Sequence, residues 1–80
     1  MKIEIKRTHI RRGQQSDGHH CPIGLAIQES LGIDDSDKVF VGDDHIRIGK
    51  KKFDTPLEAI DFINAFDERK SSVEPFSFEL

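Results

Sequence analysis

The sequence contains a single cysteine, Cys21, and neither tryptophan nor tyrosine. One cysteine excludes an internal disulfide and is typical of a reducing compartment, although it leaves a disulfide between two chains open. No apolar run approaches the roughly 20 residues that a membrane-spanning helix needs. The opening residues MKIEIKRTH also lack the apolar centre of a signal peptide. We therefore expect a cytoplasmic protein with no membrane contact.

The 80 residues fit one α+β domain, 1–80, with a small core. A chain of this length buries only about 60 to 65% of the surface that its unfolded form exposes. The net charge is −3, but cations are concentrated before residue 13 and at 47–52, whereas acids dominate from residue 53 onward. Two basic segments therefore lie in an acidic protein.

The stretch 17–32 is typical of a tight turn followed by a short amphipathic helix. Pro22 suits the first helical position, because its fixed φ and missing N–H cost nothing there. This makes Cys21 the expected N-cap. Apolar residues then recur at four-residue spacing up to Leu31, and Gly32 is expected to end the helix.

Alternation of apolar and polar residues predicts four strands. They are residues 2–6, 38–42, 45–49 and 76–80. The second and third form a predicted hairpin around Asp43 and Asp44, and lysines 50–52 are expected to run outward into solvent.

Two further helical segments are predicted. Thr8 is expected to cap a single turn near the start of the chain. A longer helix is expected to have Pro56 in its first turn, Asp54 or Thr55 as its cap and Leu57 on its apolar face.

The resulting order is β-α-β-β-α-β. It predicts a small two-layer α+β sandwich in which two helices cover one face of a four-stranded antiparallel sheet. The strand order is expected to be ferredoxin-like or a variant of it.

Several motifs carry a resemblance to a known group. CPIGLAIQESLG, the segments VFVG and HIRIG, the helix AIDFINAFD and the C-terminal PFSFEL together resemble small uncharacterised proteins of tailed bacteriophages and prophages, in which a CPIALA-type helix start is typical. The resemblance covers nearly all of the chain and implies an accessory role in infected bacteria, with no activity assigned to any residue. Gly24 stands where the group more often has a larger residue, and it is expected to weaken the helix by up to about 1 kcal/mol relative to Ala.

His19, His20 and Cys21 form the one cluster with reactive character. Imidazole and thiolate bind zinc, and His9 or His45 are candidates to complete a site. However, three adjacent residues do not all reach one tetrahedral ion comfortably, and no second Cys pair is present. A nucleophilic Cys21 also needs an orienting group and an oxyanion site. The helix dipole tends to lower a thiol pKa at an N-cap, yet we prefer a half-buried capping role with no metal and no catalysis.

Arg11 and Arg12 precede the loop that leads to the 22–31 helix. Free N–H groups at a helix N-terminus bind anions, so these arginines and that N-terminus are a candidate anion or nucleotide site. No Walker or Rossmann motif is present. A homodimer or higher oligomer that sequesters a nucleotide between its subunits is one form of this hypothesis.

The other basic segment suggests nucleic-acid binding. Lys2 and Lys6 of the first predicted strand can align with Arg47 on an exposed sheet face, and lysines 50–52, with Lys51 at their centre, would extend the patch. Stacking aromatics are absent apart from Phe40. The alternative is that these charges keep a small sheet soluble and protect its edges.

Without a catalytic constellation we predict a non-enzymatic protein that carries no cofactor. The leading hypothesis is a phage protein that binds a bacterial host protein in the host cytoplasm and inhibits or redirects it. Nucleic-acid binding and nucleotide or anion binding are the alternatives. The candidate residues for contact with a partner or an anion are Arg11, Arg12, His19, His20, Cys21, Arg47 and Lys51.

Overall fold

The computed structural model describes residues 1–80 and contains five strands and three helices. The strands are β1 (Lys2–Ile5), β2 (Val39–Val41), β3 (His45–Ile48), β4 (Lys51–Asp54) and β5 (Phe76–Glu79). The helices are α1 (Arg7–Arg12), α2 (Pro22–Leu31) and α3 (Leu57–Glu68), and single 3₁₀ turns occupy Ser36–Lys38 and Lys70–Ser72. The predicted small α+β fold is confirmed.

The strands form two antiparallel sheets and not the single four-stranded sheet that the sequence suggested. β1 pairs with β5, whereas β2, β3 and β4 form a three-stranded meander. The meander also contains a strand that was not predicted, β4, which begins after Gly49, whose φ of 60° supports a two-residue turn between Ile48 and Lys51. Residues 51–54 therefore return along β3 as a strand. Lysines 50–52 are exposed, as predicted.

Helix α2 joins the two sheets. It packs against β1 of one sheet and β2 of the other, and Ile23 and Ile27 on its apolar face are fully buried. Their four-residue spacing places both side chains on one side of the helix. The core extends on both sides of α2 to residues of each sheet and of α3, among them Ile3, Ile5, Val39, Ile46, Phe66 and Phe78.

The ends of α2 are those that the sequence predicts. Pro22 is the first helical residue, and the Cys21 Sγ accepts a hydrogen bond from the Gly24 N–H at 3.4 Å. Gly32 closes the helix in the left-handed region with a φ of 66°. Gly24 has a packing role, because an added Cβ would lie 3.3 Å from the His19 carbonyl oxygen.

The caps of the other two helices differ from prediction. Lys6 and not Thr8 is the N-cap of α1, and its N–H donates to Nδ1 of the buried His9 at 2.9 Å. Pro56 is the N-cap of α3. The hydroxyl of Thr55 is committed elsewhere, since it donates to the Gly42 carbonyl at 2.8 Å. The α3 apolar face starts later than predicted, and Leu57 is 70% exposed.

None of the three helices combines the length and the apolar character that crossing a bilayer demands.

Candidate functional site

The loop that precedes α2 is fixed at both ends by hydrogen bonds. The Oδ1 atom of Asp17 accepts the N–H groups of His19 and His20 at 3.0 and 3.1 Å, which forms a tight turn at the start of α2. On the other side, the Gln15 side chain donates to the Phe66 carbonyl at 2.8 Å. These contacts hold the loop between the start of α2 and the end of α3.

Phe40 anchors the same loop to the three-stranded sheet. Its ring lies so close to Gly18 that a Cβ added at that glycine would approach a ring carbon to 2.6 Å. The Gly18 carbonyl accepts the Val41 N–H at 2.8 Å. The His19 ring meets Phe40 edge-on, with ring centroids 5.6 Å apart. Glycine at position 18 therefore permits the loop to lie directly on β2.

A cavity of about 320 Å³ lies where this loop, β2 and α3 meet. The apolar part of its wall includes Cys21, Ile23, Phe40, Val41, Phe62 and Phe66. The wall also contains three carboxylates, Asp17, Asp43 and Asp67, and no Lys, Arg or His. We call this cavity the acidic pocket.

Two of the three carboxylates of the acidic pocket, those of Asp17 and Asp67, are held by hydrogen bonds. Asp67 Oδ1 accepts the Ser16 N–H at 2.9 Å. His20 donates to Asp17 Oδ2 at 2.9 Å, and this hydrogen bond lowers the pKa of the Asp17 carboxyl. Asp17 is therefore a carboxylate at neutral pH. Asp43 makes no side-chain hydrogen bond or ion pair within the chain.

Cys21 contributes a neutral sulfur to the pocket wall. Burial raises the pKa of its thiol from 9.0 to about 11, and the charge of Asp67 adds to the increase. The helix dipole, which we expected to lower this pKa, is outweighed by desolvation. The thiol is thus protonated at neutral pH and is a poor nucleophile.

The histidines of the His-His-Cys cluster do not converge on one point. Nδ1 of His19 lies 2.8 Å from the Val39 carbonyl and 3.0 Å from the Ser36 carbonyl, so this nitrogen carries the proton and links the loop to β2. Nδ1 of His20 is engaged by Asp17. No three His, Cys, Asp or Glu side chains are grouped so that they could hold a metal ion.

Arg11 and Arg12 do not line the acidic pocket, although the pocket adjoins the start of α2. Both side chains are exposed on α1, and Arg11 lies in a separate groove. The Gly24 N–H is already used by Cys21. The structure therefore does not assemble the predicted anion site from these arginines and the α2 N-terminus.

The second predicted basic patch is also divided. Lys2 lies in the two-stranded sheet and Arg47 in the other, so they form no stripe across one sheet. Within the meander, Lys51 is opposite Ile48, whereas Arg47 is opposite Lys52. Because side chains alternate between faces, Arg47 and Lys51 lie on opposite faces of the sheet, and Arg47 and Lys52 share one.

Sequence reasoning missed the residues that define the acidic pocket. Asp43 was assigned to a hairpin turn, where it does lie, and Asp67, at the end of α3, was given no role. The two lie 24 positions apart in the chain, so no local pattern brings them together. The one available signal is that Asp17-Gly18 and Gly42-Asp43 are both loop dipeptides in which a glycine permits close approach.

Comparison of the chain with protein-family models, with curated proteins and with solved structures finds no match. The chemistry proposed for the acidic pocket therefore depends on the geometry and charge of the chain's own residues.

Proposed function

We propose that this chain is a non-enzymatic protein-binding module that accepts a basic side chain of its partner in the acidic pocket. The observation that carries the proposal is the composition of the pocket wall. It combines an apolar surface with three carboxylates and contains no cationic side chain.

This combination suits lysine or arginine. Both side chains have an apolar stem that packs on hydrophobic surface and a charged end that seeks carboxylates. Phe40 and Phe62 contribute aromatic carbon to the apolar part of the wall, on which such a stem can pack. The cavity of about 320 Å³ lies near the lower end of the range for ligand pockets, roughly 300 to 1,000 Å³, and so fits an anchor side chain of a larger partner.

The state of the reactive side chains supports binding over catalysis. Cys21 is buried and protonated at neutral pH. The proton-bearing nitrogen of His19 faces main-chain carbonyls. A nucleophile needs an adjacent base to become active, and these contacts do not supply one.

The partner class that we propose follows from the resemblance to phage proteins. A phage protein acts inside an infected bacterium, so the partner is a bacterial host protein that presents an exposed basic residue. Occupation of the pocket would inhibit or redirect that host protein.

Synthetic peptides that differ in one central residue test the chemistry. Four otherwise identical neutral peptides carry Arg, Lys, Leu or Glu at that position, and backbone amide shifts of Gly18 and Gly42 report on the pocket. We expect the Arg and Lys peptides to shift these amides, the Leu peptide to bind more weakly and the Glu peptide not to bind.

Asparagine substitutions localise the effect. Asp43→Asn and Asp67→Asn should each lower the affinity for the Arg peptide by roughly tenfold, as expected for loss of a charge-assisted contact. Asp61→Asn is the matched control, because Asp61 is exposed on α3 and outside the pocket. Equal binding of the Glu and Arg peptides, or an equal loss in all three variants, would refute the proposal.

Capture of a host protein from bacterial lysate tests the partner class. A host protein captured by the wild type should be lost with Asp43→Lys and kept with Asp61→Lys.

A further inference from the structure

A second concave surface lies between α1 and the 3₁₀ turn that follows α3. It has a volume of about 520 Å³ and is lined by Arg7, Ile10, Arg11, Gln15, Lys70 and Ser71. Three of these residues are cations and none is an acid. We call this surface the basic groove.

Lys70 is fixed in the groove by the end of α1. Its ammonium donates to the carbonyl oxygens of Arg11 and Gly13, both at 2.9 Å. The same nitrogen lies 5.9 Å from the centre of the Phe66 ring. An ammonium has three N–H donors, so one remains for a ligand while the other two hold the group in place.

The two arginines follow each other at a spacing of one helical turn. The Arg7 guanidinium donates to Glu74 at 2.7 Å and to the Val73 carbonyl at 3.2 Å, which neutralises and orients it. Arg11 has no hydrogen-bond or ion-pair partner for its side chain. Arg11 and Lys70 are therefore two cations that line the same groove and that form no ion pair with a carboxylate.

We propose that the basic groove binds the phosphate groups of a small polyphosphate ligand. Guanidinium and ammonium groups form short charge-assisted hydrogen bonds with phosphate oxygens, and two neighbouring cations favour two linked phosphates over one. The groove has no aromatic ring among its lining residues, so it offers no platform on which a nucleobase would stack. This site is independent of the acidic pocket and does not rest on the proposed function.

Titration of the full chain with simple phosphates tests the inference. The probes are inorganic phosphate, pyrophosphate, ATP and a short oligothymidine, at matched ionic strength, with amide shifts near Arg11 and Ser71 as the readout. We expect pyrophosphate to bind more tightly than phosphate, ATP to bind no more than a few-fold better than pyrophosphate, and affinity to fall as salt is raised.

Adjacent arginines provide a matched pair of variants. Arg11→Gln should lower the affinity for pyrophosphate by about five- to tenfold, the size expected for loss of one charge-assisted contact. Arg12→Gln removes the same charge from the next exposed residue, which does not line the groove, and should leave the affinity within about twofold of wild type.

Three results would contradict binding of a small polyphosphate in the basic groove. An equal effect of both substitutions would show diffuse attraction and overturn it, as would the absence of groove shifts at millimolar pyrophosphate. Tighter binding of oligothymidine than of pyrophosphate would overturn the small-ligand assignment in favour of a nucleic-acid backbone. Asp43→Asn should leave pyrophosphate affinity unchanged. A negative result for phosphate binding in the basic groove can therefore be distinguished from a negative result for peptide binding in the acidic pocket.

Discussion

Cys21 shows how two opposing influences act on one side chain. Its place at the start of α2 exposes it to the positive end of the helix dipole, which stabilises a thiolate. Its burial removes the water that a thiolate needs, and only 7% of the residue is exposed. Desolvation prevails because the sulfur is enclosed by the pocket wall, and the pKa rises to about 11.

The raised pKa of Cys21 predicts a specific pH dependence of stability. The folded state holds the thiol neutral up to about pH 11, whereas the unfolded chain ionises near 9.0. The neutral thiol therefore contributes to the free energy of unfolding. Its contribution is fully present below pH 9 and is lost as the pH rises toward 11, with a maximum of about 2 to 3 kcal/mol. Urea unfolding of wild type and Cys21→Ser from pH 8 to 11 measures it.

Serine retains an oxygen acceptor for the N-cap and does not ionise in this range. Cys21→Ser should therefore show a smaller loss of unfolding free energy between pH 9 and 11 than the wild type does. Parallel curves for the two proteins would contradict a buried thiol. Because lysines also titrate here, the difference between the curves, and not either curve alone, carries the information.

At the scale of elements, the β3-β4 hairpin contains an electrostatic conflict. Arg47 and Lys52 lie directly opposite each other, and like charges in such positions destabilise a sheet. The Arg47 guanidinium donates hydrogen bonds to the main-chain carbonyls of Gly49 and Asp37, at 3.3 and 3.5 Å, and these bonds partly offset the repulsion. The strand pair is thus held by its inner face, where Ile46 is opposite Phe53.

Reversal of one charge should relieve this conflict. Lys52→Glu is expected to raise the unfolding free energy by about 0.5 kcal/mol, because cross-strand pairs contribute roughly 0.2 to 1 kcal/mol. Lys51→Glu makes the same change in net charge opposite Ile48 and should have little effect. Urea unfolding at low and high salt checks both, and the gain should shrink at high salt. A matching gain in the two variants would point to net charge instead.

At the scale of the molecule, two separate sheets share one core through α2. β5 closes onto β1 at the opposite end of the chain, and the Leu80 N–H donates to the Met1 carbonyl at 2.9 Å. Phe78 of β5 is buried in the same core as Ile46 of β3. The stability of each sheet therefore depends on residues of the other sheet that lie far away in the sequence.

This arrangement predicts that the two sheets unfold together. Phe78→Ala should cost about 3 to 5 kcal/mol, as deletion of a buried aromatic ring does. Ser77→Ala, in the neighbouring exposed position, should cost little. Amide hydrogen exchange should accelerate in β3 as well as in β1 when Phe78 is truncated. Acceleration confined to β1 and β5 would show that the sheets are separate cooperative units.

Local signals account for much of what could be predicted. The Cys-Pro start and Gly end of α2 are confirmed because capping depends on residues in immediate sequence proximity. The alternation in β1, β2, β3 and β5 is confirmed for the same reason. β4 was missed because its signal was a short Gly-Lys turn within a run of lysines, and the charges suggested solvent.

The sequence by itself determined the positions of these elements and their buried faces, because hydrophobic periodicity and capping operate over a few residues. Only the tertiary structure decided how the strands are divided between two sheets, since pairing joins segments such as β1 and β5 across the whole chain. It also decided which charges are neighbours. Asp17, Asp43 and Asp67 line one pocket, and Arg11 and Lys70 line a separate groove, because packing around α2 brings together loops and helix ends that no sequence pattern connects.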